Sequence, residues 1–332
     1  MRYILQEIFK EIGKEGQEKL SNSTAAIVGL GAIGSVSAQL LTRAGIGKLV
    51  LIDRDVVELS NLQRQSLFDE NDIGKPKAIS AKEHLNKINS ELEIDFFIED
   101  LNFENIEKIF QTKLEKFFPD IILDCTDNLE TRFLINDFSI KNKISFIYSS
   151  AVGSKGYVFD IVPNKTACLR CFLKEAVQLD TCETVGVLNT ITNLISSLQV
   201  NEAIKILLKK SNFVSKLLFF DIWKNELLKI NVNKNKNCIC CANAVFEYLN
   251  GKKSSRIIKL CGDNVYQIRA KSFHKKDFVI LKNKLKKIGS VADFFYCINF
   301  DNKLTIFQDG RALIKAKDEK EAKSLYSRFV GN

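Results

Sequence analysis

Two C-x-x-C pairs give the sharpest chemical signal in the sequence, Cys168-Leu169-Arg170-Cys171 and Cys238-Ile239-Cys240-Cys241. Thiolates at this spacing hold Zn2+, and two pairs supply a tetrahedral set of ligands: Cys168, Cys171, Cys238 and Cys241. Four protein ligands leave no position for water, so such a site is structural rather than catalytic. Cys240 can stand in for Cys241, although the spacing favours Cys241. The competing reading is a set of reduced, metal-free thiols.

The second signal is Gly29-Leu30-Gly31-Ala32-Ile33-Gly34, a G-x-G-x-x-G turn between a strand-like run and a helix-like one. Its glycines let the backbone turn tightly and approach phosphate, and the following helix N-terminus favours anionic charge. Asp53 lies nineteen positions past Gly34, at the end of the next apolar run, where it can accept from a ribose hydroxyl. This motif alone does not separate NAD from ATP, so a dehydrogenase is the first hypothesis to weigh. Hydride transfer usually recruits a proton donor, yet only His84 and His274 exist, and both read as solvated or structural. The loop after Asp53-Arg54-Asp55 instead brings Arg64 and Lys77, in Ser60-Asn61-Leu62-Gln63-Arg64-Gln65 and Gly74-Lys75-Pro76-Lys77. Cations there suit a triphosphate, where charge builds during displacement at phosphorus; the bland reading is a solvated charged loop. Cys125-Thr126-Asp127-Asn128 ends another apolar run, and Asp127 there can hold Mg2+ or serve as a helix N-cap. Cys182 sits in the polar stretch 178–184, which reads as a mobile crossover loop carrying either a nucleophile or an incidental surface thiol. Cys125, Cys261 and Cys297 lie in apolar contexts that read as buried and inert.

These residues need a scaffold, and the hydrophobic pattern supplies it. Runs at 25–30 and 48–53 flank the glycine turn and a segment of helical period, which makes a βαβ unit and hence a parallel sheet. Further strand-like runs fall at 94–99, 120–125, 144–150 and 157–162, with helical stripes over 75–89 and 131–142. The alternation predicts a doubly wound, Rossmann-like α/β domain with a mainly parallel sheet. A long helix is expected from 190, followed by strands at 217–222 and 227–232 and the cysteine-rich segment that clamps this C-terminal part. Gly251-Lys252-Lys253-Ser254-Ser255 reads as a linker, which divides the chain into domains at 1–250 and 256–332, the latter a small α+β appendage.

Composition fits this picture. The 332 residues are 45% hydrophobic, enough to offset the entropy of ordering, and three prolines with sixteen glycines exclude collagen-like and linker-like classes. No run is long and apolar enough to span a bilayer, and the N-terminus lacks the pattern of a signal peptide, so the expected location is the cytoplasm. The net charge of +9, with a mild basic excess near the C-terminus, suits an acidic protein or a nucleotide, and nucleic acid is the less favoured partner.

Taken together, GLGAIG, LIDRDVVELSNLQRQ, DIGKPKA, CTDN and the two C-x-x-C pairs resemble the ThiF/MoeB branch of the ubiquitin-activating-enzyme superfamily over roughly residues 2–245. The tail, with LCGDNVYQIR and LTIFQDGRALIKA, resembles the C-terminal extension of bacillus-type members, which favours thiamine thiazole biosynthesis over molybdopterin synthesis. The resemblance implies ATP-dependent adenylation of the Gly-Gly carboxylate of a ubiquitin-like sulfur carrier, then thiocarboxylate formation with sulfur from a persulfide-bearing donor protein, in a homodimer. It implies nucleotide contacts from Gly29, Gly31, Ala32, Gly34, Asp53, Asp55, Asn61, Arg64, Lys77, Thr126, Asp127 and Asn128, with Asp127 serving Mg2+. Arg64, Lys77 and Asp127 would carry the phosphoryl chemistry and Cys182 the sulfur step, while Cys168, Cys171, Cys238 and Cys241 match the zinc ligands. Two positions depart from the pattern. Ala32 replaces a glycine, at the cost of one methyl group. Leu5 replaces the second arginine of Arg-Tyr-x-Arg-Gln, which reaches a partner subunit's ATP site, and Arg2 is the candidate substitute. The alternatives are the molybdopterin-synthase carrier as substrate and a non-catalytic carrier-binding scaffold. A tRNA-modifying dehydratase of the same fold typically lacks the paired cysteines. A peptide adenylyltransferase would need a further clamp region.

Overall fold

Two short helices, α1 (Ile4–Ile8) and α2 (Gly13–Ser21), lead into the expected βαβ unit: β1 (Thr24–Val28), α3 (Ala32–Ala44) and β2 (Lys48–Ile52). Then follow α4 (Lys77–Ile88), β3 (Glu93–Phe97), α5 (Ile106–Phe110), β4 (Ile121–Asp124), α6 (Leu129–Asn142), β5 (Ser145–Val152) and β6 (Lys155–Ile161). The long helix α7 (Asn189–Leu207) and the hairpin β7 (Lys216–Asp221) and β8 (Glu226–Asn231) complete this part. The computed structural model describes residues 2–111, 118–173, 185–209, 216–253, 257–259, 265–268, 275–294 and 296–331. They fall into two units, Met1–Ser254 and Ser255–Asn332.

The sheet of the first unit runs β3-β2-β1-β4-β5-β6-β7-β8. From β3 to β5 every pairing is parallel. The chain then reverses through the tight turn at Gly153, and β6, β7 and β8 add antiparallel. Parallel strands covered on both faces read as unbroken apolar runs, and β1 shows why. Ala25 and Ile27 face one buried cluster with α3, α4 and α7, while Ala26 and Val28 face the other with α5 and α6. The helices therefore cover both faces, as a doubly wound fold requires. β1 lies between β2 and β4, so the chain leaves β1 in one direction and later returns on its other side. The C-terminal ends of β1 and β4 form the crevice where such folds bind ligands.

The second unit is a six-stranded antiparallel sheet of order β11-β12-β13-β14-β10-β9. Its strands are β9 (Ile257–Lys259), β10 (Val265–Ile268), β11 (Val291–Asp293), β12 (Cys297–Phe300), β13 (Leu304–Phe307) and β14 (Ala312–Lys315). The helices α8 (Lys275–Leu285) and α9 (Glu319–Phe329) contribute Phe278, Leu281, Ala322 and Tyr326 to its own core. Charge divides sharply between the units. Met1–Ser254 holds 32 basic and 32 acidic residues, whereas Ser255–Asn332 holds 17 basic against 8 acidic, so the small unit carries the whole net charge of +9. Among the described residues no helix is long and apolar enough to cross a membrane.

Candidate active site and metal centre

The glycine turn is built for close approach. Gly29 adopts φ +89° and donates its N–H to Ile52 O at 2.8 Å, while a Cβ at Gly34 would run into the Gly29 carbonyl. Gly31 differs: a Cβ there would meet nothing nearer than Gln65 Nε2 at 4.0 Å, so protein packing leaves room in front of it. Ala32 opens α3, whose thirteen residues aim their N-terminal N–H groups at this space. Gln65 is buried beside it, and its Oε1 has no hydrogen-bond partner among the described residues. An open cradle flanked by an orphan polar atom fits a bound nucleotide.

Asp53 follows β2 and accepts hydrogen bonds from the Leu30 and Asp55 N–H groups through its two carboxylate oxygens. Burial pushes its carboxyl above the usual range against the pull of Lys77, and Asp55 adds to the rise. Lys77 is the first residue of α4 and is 6% exposed, with Nζ 3.6 Å from Asp55 Oδ2. Burial alone would lower its ammonium, but Asp55, Asp53, Asp127 and Glu58 outweigh that and hold it above its ordinary value. Lys77 is thus a fixed, buried cation at a helix N-terminus next to the glycine turn. Asn61 is buried in a single 3-10 turn, where its Oδ1 accepts from Glu58 N–H at 3.2 Å. Arg64 is half-buried on the same loop and donates to Ser60 O at 2.9 Å.

At the end of β4, Thr126 turns inward and donates from both N–H and Oγ1 to Asp124 Oδ1. Asn128 caps α6 by accepting from Thr131 N–H at 2.8 Å. The cap is therefore Asn128 and not Asp127, whose side chain stays half exposed. Asp127 offers a hard oxygen ligand of the kind Mg2+ prefers beside a phosphate chain. The pattern Asp53-Arg54-Asp55 drew attention to its carboxylates, yet the structure gives Arg54 the central place: its guanidinium faces Asp100, Asp127 and Asp55 together. Gln199 of α7 is a second residue that spacing did not reveal. Its Nε2 donates to Asp124 O, Ile147 O and Ser149 Oγ, and its Oε1 accepts from Ser37 and Cys125, so one amide ties four elements beneath the site. Cys125 is buried, and burial raises its thiol far above reactive values. Cys297 is also buried, while Cys261 and His274 lie outside the described residues. His84 is paired with Asp72, its Nε2 2.6 Å from Oδ2. Cys182 lies outside the described residues.

The cysteine pairs meet. The Sγ atoms of Cys168, Cys171, Cys238 and Cys241 all lie within 4.8 Å of one another, with closest approaches of 3.5 to 3.9 Å. Four thiolates about 2.3 Å from one Zn2+ at tetrahedral angles stand about 3.8 Å apart, so the cluster fits the metal. Cys240 points elsewhere and accepts from Asn136 Nδ2 at 3.2 Å, which resolves the choice in favour of Cys241. Asn136 also accepts from Leu169 N–H at 2.8 Å, so one α6 side chain seats both cysteine turns. Arg2 donates to Ile88 O at the C-terminal end of α4, a helix length of about 16 Å from Lys77. Arg2 also precedes α1, which begins at Ile4, so it shares no helical face with Leu5 and does not stand in for position 5 in that way.

A model of the ThiF family matches residues 3–241. The chain belongs to the ThiF family. The sulfur carrier protein ThiS adenylyltransferase of Bacillus subtilis is 38% identical, over 99% of both chains. The protein of the same name from Escherichia coli is 33% identical over 73% of this chain and 94% of its own. Escherichia coli MccB, solved with AMPCPP and MccA, has a TM-score of 0.62 and 25% identity over 72% of this chain and 73% of its own. The ThiF match ends before Ser255, so the basic second unit lies outside it, although the Bacillus subtilis relative aligns across the full length.

Proposed function

We propose that this ThiF-family chain is a nucleotidyltransferase that adenylates the C-terminal carboxylate of a ubiquitin-like sulfur carrier for thiamine thiazole biosynthesis. The observation that carries the reading is Lys77, a buried ammonium set at a helix N-terminus among Asp53, Asp55 and Asp127, next to a glycine cradle with open space. Asp53 holds the ribose, and the α3 N-terminus, Asn61, Arg64 and Lys77 hold the phosphates. Asp127 and Asp55 are the carboxylates that would hold Mg2+, which neutralises charge on the pyrophosphate leaving group. The carrier carboxylate attacks the α-phosphorus. A bond forms between a carboxylate oxygen and the α-phosphorus, the bond from that phosphorus to the α,β-bridging oxygen breaks, and pyrophosphate leaves with the electron pair. Lys77 and Arg64 meet the charge that shifts onto the leaving oxygens. The terminal sulfur of a persulfide-bearing donor then attacks the acyl carbon, and AMP leaves with the electron pair of the broken bond. A cysteine thiolate cleaves the resulting acyl disulfide, releasing the thiocarboxylate and forming a disulfide with the donor's remaining sulfur.

A protein substrate suits the free end of the sheet. All six residues of β8 are exposed, and Leu227, Leu228 and Ile230 lie on it beside Trp223 in the β7–β8 turn. An unpaired edge with apolar side chains is a surface for another protein. The exposed Ile4, Leu5, Ile8 and Phe9 on and next to α1 support a homodimer. Full-length alignment with a ThiS adenylyltransferase favours the thiazole carrier over the molybdopterin-synthase carrier. Carrier-dependent exchange of pyrophosphate into ATP tests the reading. Asp127→Ala and Arg64→Ala should each slow it about 10²–10³-fold, the scale of one lost preorganised contact. Exchange unchanged in both variants excludes these roles, and a wild-type protein that binds carrier without exchange is a scaffold.

A further inference from the structure

We propose that Arg54 is the positioning residue for Asp127, holding that carboxylate in the orientation in which it meets the divalent cation of the nucleotide. The assignment rests on the adenylation reading above. Arg54 follows β2, and its side chain is 10% exposed. Nη1 donates to Asp100 Oδ1 at 3.1 Å, and Asp100 is itself 5% exposed. On the other branch Nη2 lies 3.5 Å from Asp127 Oδ1, and Nε lies 3.8 Å from Asp55 Oδ1. One planar guanidinium thus spans carboxylates that follow β2, β3 and β4, three parallel strands whose C-terminal ends open on the same edge of the sheet. Burial works against its charge, but Asp100, Asp127, Asp55 and Asp53 keep it firmly protonated.

Asp127 needs such a support. It sits between β4 and α6 with half its side chain in solvent, and the α6 cap is formed by Asn128 instead. An exposed aspartate samples several rotamers, and ordering it costs entropy when the cation arrives. Arg54 cannot drift, because Asp100 anchors it from the buried side. Its fork lets one nitrogen hold the anchor while the other faces Asp127; a lysine ammonium is a single point and cannot do both.

The test uses full-length protein and two readouts: Mn2+ affinity in the presence of a non-hydrolysable ATP analogue, and the Mg2+ concentration that half-saturates pyrophosphate exchange. Arg54→Lys keeps the charge and loses the fork. It should weaken Mn2+ binding about tenfold and raise the Mg2+ requirement by a similar factor, with metal-free ATP affinity unchanged. In an Asp127→Asn background the same substitution should weaken Mn2+ binding by less than about twofold, since only the more distant contact to Asp55 remains. Wild-type Mn2+ affinity in Arg54→Lys would overturn the proposal, since charge alone would then suffice. Tighter Mn2+ binding would also overturn it, because Arg54 would be competing with the metal. Should Arg54→Lys fail to fold, Asp100→Asn loosens the anchor with Arg54 in place, and an unchanged Mn2+ affinity there overturns the proposal. A wild-type protein inert in exchange would fault the adenylation reading, while the Mn2+ measurements would still decide the role of Arg54.

Discussion

The sulfurs of Cys168 and Cys238, seventy residues apart in the chain, lie 3.5 Å from each other. Cys171 and Cys241 repeat the relationship at 3.5 Å, so the two turns face each other as pairs. Elemental analysis should find one zinc per chain. Cys171→Ser should lower the melting temperature by on the order of 10 °C, because metal binding energy is folding energy at such a site. ATP affinity measured well below that temperature should change little, since the cluster packs with α6 in the hydrophobic core. Protein purified without stoichiometric zinc would count against the assignment.

Two glycines of one motif should behave differently. Gly34→Ala drives a methyl into the Gly29 carbonyl, so it should destabilise the fold and abolish nucleotide binding together. Gly31→Ala meets only open space, at a negative φ of −73° where the glycine is not held in the left-handed region. Its melting temperature should stay near wild type while ATP affinity falls at least tenfold. Equal ATP affinity in Gly31→Ala would show that phosphate does not lie against this residue.

Gln199→Leu removes an amide that ties β4, β5, α3 and α7 together. Buried groups left without partners cost about 1–3 kcal/mol each, so urea denaturation should show a loss of roughly 2–4 kcal/mol. A loss below about 0.5 kcal/mol would mean that the neighbours re-pair without it.

Cys182 should separate the two halves of the reaction. Adenylation uses the carrier's own carboxylate, so Cys182→Ser should keep pyrophosphate exchange. Mass spectrometry of the carrier should show loss of the thiocarboxylate, because sulfur transfer needs an accessible thiolate. Full thiocarboxylate yield would return this cysteine to an incidental place.

Arg2 is engaged at Ile88, whereas Leu5 is 81% exposed. Arg2→Ala should therefore leave exchange within about twofold of wild type, and Leu5→Arg should accelerate it by placing a guanidinium where the related pattern has one. A Leu5→Arg variant no faster than wild type would remove the N-terminus from catalysis, and a slow Arg2→Ala would restore Arg2 as the substitute.

Much of the molecule is legible in one dimension. Parallel strands buried on both faces leave unbroken apolar runs, so β1, β2 and β4 stand out, and the glycine turn marks where β1 gives way to α3. The two cysteine pairs are legible because C-x-x-C is a local geometry, and the fold brings them into one four-sulfur cluster. Other features depend on what tertiary structure brings together. The sequence offers Asp127 as a cap, and only the path of the chain into α6 gives that place to Asn128. Cys240 and Cys241 are adjacent, and the turn direction separates them: one faces Asn136, the other the sulfur cluster. Nothing in the local sequence singles out Arg54 from its acidic neighbours Asp53 and Asp55. Its importance comes from Asp100 and Asp127, 46 and 73 positions away, which the parallel sheet delivers to the same edge. Local backbone preferences and hydrophobic period act over a few residues, so the sequence by itself determines elements and motifs. Which carboxylates share a buried cation depends on strand order, and that was decided by the packing of helices on both faces of the sheet.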